Sequence, residues 1–181
     1  MNLPTALTWL RVALIVPLAW AFEATPVGTA AAGREWAWIA FGCYVVASVT
    51  DYFDGMLARR WGQTTTLGAL LDPLADKVLV ACALVGLAYH GVVPAWTVTL
   101  IVAREFLVTG LRVAVAEKGG GVTPASWPGK VKTVLQMVAL ALYLWPPGGI
   151  KWAADPVYAL ALLLTVSSGA EYVWKSRHVL K

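Results

Sequence analysis

The chain has 181 residues, of which 59% are hydrophobic and 13% charged, with a formal net charge of +4. Soluble domains carry about a quarter charged residues, so this balance excludes an ordinary water-soluble fold and points to a membrane protein of one domain, residues 1–181. The net positive charge would suit nucleic acid, but its placement in short connections suits a membrane surface, and no nucleic-acid partner is expected.

Six apolar segments follow one another, each near the ~20 residues that cross a bilayer. The first, 5–24, contains Arg11 and has no Lys or Arg before it, so it is read as a retained span rather than a cleaved leader. Thr25-Pro26-Val27-Gly28 ends it, and the second runs over 36–58. A polar stretch from Trp61 to Thr66 leads to the third, 69–90. Gly91 to Pro94 separates this from the fourth, 93–116, and Gly119 to Pro128 precedes the fifth, 131–147. Pro146-Pro147-Gly148-Gly149 breaks the chain again before the sixth, 155–174. The expected fold is an all-α integral membrane protein of six transmembrane helices. Cys43 and Cys82 both lie inside apolar runs and read as packing residues.

Basic residues set the orientation. Arg59 and Arg60 follow the second segment, Lys118, Lys130 and Lys132 follow the fourth, and Lys175, Arg177 and Lys181 follow the sixth. The opposite connections hold only Arg34 and Lys151. Both termini are therefore expected in the cytoplasm.

In this frame one stretch stands out: DYFDGMLARRWGQTTTLGALLDPLADK, residues 51–77. Asp51 and Asp54 are three apart at the end of the second segment, and Asp72 and Asp76 four apart at the start of the third, so each pair shares a helix face. A lone acid near a helix end is usually just interfacial. Four at helical spacing on neighbouring helices repel one another, and burying each costs about 2.5–3.5 kcal/mol on insertion scales. Hard divalent cations, Mg²⁺ or Mn²⁺, offset both penalties, and two such ions sharing carboxylates are the usual equipment of phosphoryl transfer. Gly55 and Ala58 leave room beside the backbone for a ligand, and Arg59 offers a fork for a phosphate. Taken singly, Gly55 reads as a packing glycine, Gly68 as a turn residue, and Thr64 to Thr66 as helix caps.

The spacing D-x2-D-G-x2-A-R-x8-G-x3-D-x3-D is met by Asp51, Asp54, Gly55, Ala58, Arg59, Gly68, Asp72 and Asp76. It resembles the signature of the CDP-alcohol phosphotransferases, six-helix membrane enzymes in which a CDP-linked lipid donates a phosphatidyl group to an alcohol and CMP leaves. The resemblance implies that Asp51, Asp54 and Asp72 bind metal and that Asp76 both completes the second ion site and serves as catalytic base. It also implies that Gly55, Ala58, Arg59, Thr65 and Gly68 line the CDP-lipid site. The flanks NLPTALTWLRVALIVPLAW, AREFLVTGLRVAVAEKGG and SWPGKVKTVLQMVALAL are similar to the bacterial branch whose donor is CDP-diacylglycerol and whose acceptor is glycerol 3-phosphate. That likeness implies an enzyme of the bacterial inner membrane with its active site facing the cytoplasm. A homodimer among membrane lipids is the expected assembly. The glycine- and proline-rich GGGVTPASWPGK departs from that pattern.

The resemblance also implies a basic pocket for the acceptor phosphate, although a structural ion pair with one of the aspartates would account for an arginine here as well. Arg104 and Arg112 are eight apart and so nearly share a face, and Lys130 and Lys132 open the fifth segment. An arginine inside a span pairs with an acid or lines a polar cavity. Glu105 adjoins Arg104, but adjacent helical residues are expected to diverge. Ser126 and Gln136 are weaker acceptor candidates, and His90 and His178 read as solvent-facing. Two rivals fit less well. A sibling enzyme would use inositol phosphate, serine or phosphatidylglycerol as the alcohol. A cation transporter would show repeated halves or spans broken near the midplane.

Overall fold

In the computed structural model the described backbone covers residues 3–24, 34–61, 66–117, 127–146 and 149–180, and the described side chains are those of 8–24, 36–50, 74–115, 127, 129–146 and 149–175. The described chain is helical, with no strand. Its elements are α1 (Leu3–Ala24), α2 (Arg34–Trp61), α3 (Thr66–Tyr89), α4 (Ala95–Glu117), α5 (Trp127–Leu144) and α6 (Lys151–Leu180). They match the six apolar segments in order. The main difference is at α5 and α6: Trp127 to Lys130 start α5 before its apolar run and α5 ends at Leu144, while Lys151 to Ala154 and Lys175 to Leu180 extend α6 at both ends of its run.

Breakers act where their chemistry requires. α3 stops at Gly91, whose φ of 67° suits a residue without a Cβ. There the Val92 amide donates to the Leu87 carbonyl at 2.9 Å and the Gly91 amide to that of Ala88 at 2.9 Å, the paired bonds of a Schellman cap. Just beyond Pro94, the Thr97 hydroxyl donates to the Pro94 carbonyl at 2.6 Å and holds the first turn of α4.

α1 packs mainly on α2 and α3, and α6 mainly on α5 and α4; smaller contacts of α3 with α4 and α5, and of α2 with α5, join the two groups. Small residues carry much of the contact. Ala40 and Ala47 of α2, Ala83 of α3, Ala139 of α5 and Ala154 of α6 are buried together with Leu18, Phe22, Tyr44, Leu79, Leu87, Ile101 and Leu140. Such residues let helix backbones approach closely where lipid removes the hydrophobic drive between helices. Gly86 shows the tolerance of that contact, since a Cβ there would lie 2.4 Å from the Phe22 ring.

The outside of the bundle is also apolar. Val16 and Trp20, Trp38 and Val46, Val78 and Val85, Phe106 and Val113, Val134, and Leu163 and Trp174 all face outward, so each helix contributes. Patches of this extent suit hydrocarbon rather than water. Among the described residues one stretch, Lys151–Lys175 of α6, is by itself long and apolar enough to cross a membrane, with a shorter apolar run at Trp36–Thr50. α4 carries Arg104, Glu105 and Arg112 within its length, and those charges face the interior assembly described next.

Candidate functional site

The signature residues fall on two helices. Asp51, Asp54, Gly55, Ala58 and Arg59 occupy the last turns of α2, and Gly68, Asp72 and Asp76 the first turns of α3. Asp76 is the one whose side chain belongs to the described set. Thr65, Ser126 and His178 lie outside it, as do the side chains of the other seven signature residues.

Asp76 borders a polar cavity of ≈ 250 Å³ enclosed by α3, α4, α5 and α6. Lys77, Arg104, Arg112, Lys132, Glu105 and Asp76 all line it, four cationic side chains against two carboxylates. Lys132, 5% exposed, donates its Nζ to Glu105 Oε1. Arg104 is held on three sides: Nη1 to Glu105 Oε1 at 2.9 Å, Nη2 to Ser168 Oγ at 2.9 Å and Nε to the Thr165 carbonyl at 3.1 Å. Its guanidinium therefore braces α4 against α6. Lys77 Nζ donates to Thr109 Oγ1, which in turn donates to the Glu105 carbonyl at 2.7 Å. Arg112 is exposed toward the cavity, with its guanidinium carbon 5.4 Å from the centre of the Tyr172 ring. A smaller space of ≈ 50 Å³ adjoins, sharing Asp76, Lys77, Glu105 and Lys132 and closed by Leu84, Ile101 and Gln136.

Arg104, Arg112 and Lys132 thus meet around one space with Asp76, while Lys130 is exposed and does not line it. The expectation that Glu105 diverges from Arg104 is corrected. Cβ directions do differ between neighbours, but the long arginine side chain swings back to reach the carboxylate. His90 is corrected too: it is half-buried, its Nε2 lies 2.7 Å from the Phe22 carbonyl, and its ring stacks on Phe22. Lys77, Thr109, Ser168 and Tyr172 were not singled out by sequence. Only Lys77, beside a signature aspartate, carried a signal there.

A family model for CDP-alcohol phosphatidyltransferase matches residues 1–167. The chain belongs to that family. Members of the CDP-alcohol phosphatidyltransferase family are generally dependent on divalent cations. Among curated relatives, the chain is 45% identical over 173 residues to a "Probable phosphatidylglycerophosphate synthase" of Mycobacterium tuberculosis, covering 95% of this chain and 80% of the relative. It is 43% identical over 191 residues to the Escherichia coli K12 protein named "CDP-diacylglycerol--glycerol-3-phosphate 3-phosphatidyltransferase", covering 97% and 95%. A Salmonella typhimurium protein of the same name is 42% identical over 190 residues.

The chemistry of the donor set suits hard divalent cations. Four carboxylates at spacings of three and four on two helices are of the oxygen-donor type such ions take, and Asp76, the last of them, lines a polar cavity. Among the described side chains alone, no group of three or more potential metal ligands occurs.

Proposed function

We propose that this chain transfers the phosphatidyl group of CDP-diacylglycerol to glycerol 3-phosphate, giving phosphatidylglycerophosphate and CMP. The observation that carries the reading is the meeting of Asp76 with Arg112 and Lys132 around one polar cavity, in a chain whose relatives bear the names of this activity over nearly their full length. A dianionic acceptor needs cations beside the base that activates it, and this cavity supports both needs.

Asp51, Asp54, Asp72 and Asp76 would hold two divalent cations, Mg²⁺ or Mn²⁺. When bound, these supply charge neutralisation at the diphosphate and on the leaving CMP. Gly55, Ala58 and Gly68 leave space for the nucleotide, and Arg59 and Thr65 contact its phosphates. Arg112 and Lys132 orient the acceptor phosphate, Arg104 fixes the wall behind it, and Lys130, two residues before Lys132 on α5, adds positive charge outside the cavity. The Asp76 carboxylate takes the proton from a glycerol hydroxyl. That oxygen attacks the phosphorus bearing diacylglycerol, and the bond from this phosphorus to the CMP oxygen breaks. The carboxylate later releases its proton to water.

The single domain spans the bacterial inner membrane with six helices and both termini in the cytoplasm, and works as a homodimer among lipids that deliver the donor sideways. The outward apolar residues of all six helices support the spans, and the distribution of Lys and Arg supports the orientation. The test is CMP release from CDP-diacylglycerol by purified protein, with glycerol 3-phosphate, inositol phosphate, serine and phosphatidylglycerol offered in turn. Release driven by glycerol 3-phosphate at least tenfold above the others is expected. Preference for another alcohol would overturn the reading.

A further inference from the structure

Tyr172 sits on α6, far in sequence from every signature residue, yet it lines the same polar cavity as Asp76, Arg112 and Lys132. It is 9% exposed, and its hydroxyl is buried with no hydrogen-bond partner. Its ring lies against the Arg112 guanidinium at 5.4 Å. These are separate observations. The ring contact fixes a cation by attraction between guanidinium and π face. The idle hydroxyl is a donor kept in the fold although native structures almost always pair such groups.

From these we infer that Tyr172 is a specificity-determining residue of the acceptor site, its hydroxyl donating a hydrogen bond to the acceptor phosphate while its ring steadies Arg112. The inference rests on the reading of glycerol 3-phosphate as acceptor. Geometry favours the phosphate over the glycerol hydroxyls because the ring already lies against the cation best placed for that phosphate. Arg104 is already anchored to Glu105, Ser168 and Thr165, which leaves Arg112 the guanidinium freer to turn toward a ligand. The oxygens of a dianionic phosphate only accept, so a tyrosine hydroxyl matches them by turning its O–H toward them.

Tyr172→Phe removes the hydroxyl and keeps the ring on Arg112, which makes it the test. If the hydroxyl were only a structural remnant, its loss would leave kinetics alone, since no bond in the acceptor-free protein is broken. The expected result is a KM for glycerol 3-phosphate about ten- to a hundred-fold higher, the range for losing a hydrogen bond to a charged group. The KM for CDP-diacylglycerol and the kcat stay within about twofold, and thermal stability is kept or raised. Competitive inhibition by inorganic phosphate should weaken by the same factor as the KM rises. An unchanged KM in Tyr172→Phe, with active wild-type enzyme, overturns the assignment of Tyr172 alone. A raised KM with unchanged inhibition by phosphate overturns the phosphate contact in particular. No release of CMP by wild-type enzyme with glycerol 3-phosphate overturns this inference together with the reading beneath it.

Discussion

Arg104 and Arg112 are eight residues apart on one helix and line one cavity, yet the structure gives them different work, and replacing each by alanine should separate the two. Arg104 has its side chain 13% exposed and makes three hydrogen bonds, two of them to α6. Removing it leaves Glu105 with Lys132 as its remaining cation and frees the Thr165 carbonyl and Ser168 Oγ from their brace. Breaking a buried ion pair costs about 3–5 kcal/mol, and partial access of water to Glu105 argues for the lower end. At roughly 2–4 °C per kcal/mol for a chain of this length, Arg104→Ala should lower the midpoint of thermal inactivation by on the order of 10 °C. Arg112 loses only its contact with the Tyr172 ring, worth about 0.5–1 kcal/mol at an exposed site, so Arg112→Ala should move that midpoint by a few degrees at most. Its defect should instead be a KM for glycerol 3-phosphate raised about ten- to a hundred-fold, with the KM for CDP-diacylglycerol nearly unchanged. Both quantities can be read on the same detergent-solubilised protein, by residual CMP release after heating and by initial rates. An Arg104→Ala protein as heat-stable as wild type, or an Arg112→Ala protein whose defect falls on the lipid donor, would refute the division.

Other perturbations address the rest of the site and the packing. Chelating divalent cations should abolish CMP release and adding Mg²⁺ or Mn²⁺ should restore it; full turnover in excess chelator would remove the paired-cation reading. Asp76→Asn should lower kcat by at least the ~10²-fold typical of losing a general base, while binding of CDP-diacylglycerol, measured by equilibrium titration, suffers less because Asp51, Asp54 and Asp72 remain. Gly86→Ala places a Cβ 2.4–2.5 Å from three atoms of the Phe22 ring, including Cγ, which the ring cannot rotate away. Overpacking of this kind costs about 1–3 kcal/mol, so inactivation should occur several degrees lower while the KM for either substrate holds, the site lying about 15 Å along α3 at 1.5 Å per residue.

The helices were legible because each apolar run is long and each break has its own chemistry. Gly91 ends α3 in the left-handed conformation that the Gly91 to Pro94 stretch announces. The aspartate signature was legible for a related reason. Its residues lie within 26 positions of one another, and helical periodicity alone puts each pair on one face. The α6 side of the cavity could not be read this way. Thr165, Ser168 and Tyr172 look like ordinary polar residues in an apolar run, and their partners Arg104 and Arg112 stand about sixty positions earlier, brought close only by packing of α4 on α6. The pairing of Arg104 with Glu105 escaped for a subtler reason. Helical periodicity sets where a side chain leaves the backbone, while a flexible arginine decides where it ends.

The packing also separates two parts of the proposed chemistry. α1, α2 and α3 form one closely packed group and carry the whole signature; α5 and α4 both pack on α6, and these three carry Arg104, Arg112, Lys132 and Tyr172. Among the described side chains, bonds across the seam include Lys77 Nζ to Thr109 Oγ1 and the Tyr44 hydroxyl to the Met137 carbonyl at 3.4 Å. The polar cavity opens at this seam, between Asp76 and Lys77 on one side and Arg104, Arg112 and Lys132 on the other. Under the proposed reaction, the first group handles the CDP-lipid and the second selects the alcohol. Substitutions on α4 to α6 can then alter the acceptor without disturbing Asp51, Asp54, Asp72 or Asp76. A family that keeps one donor chemistry and varies its alcohol would gain from that arrangement, because the signature residues lie on α2 and α3 while Arg104, Arg112, Lys132 and Tyr172 lie on α4, α5 and α6.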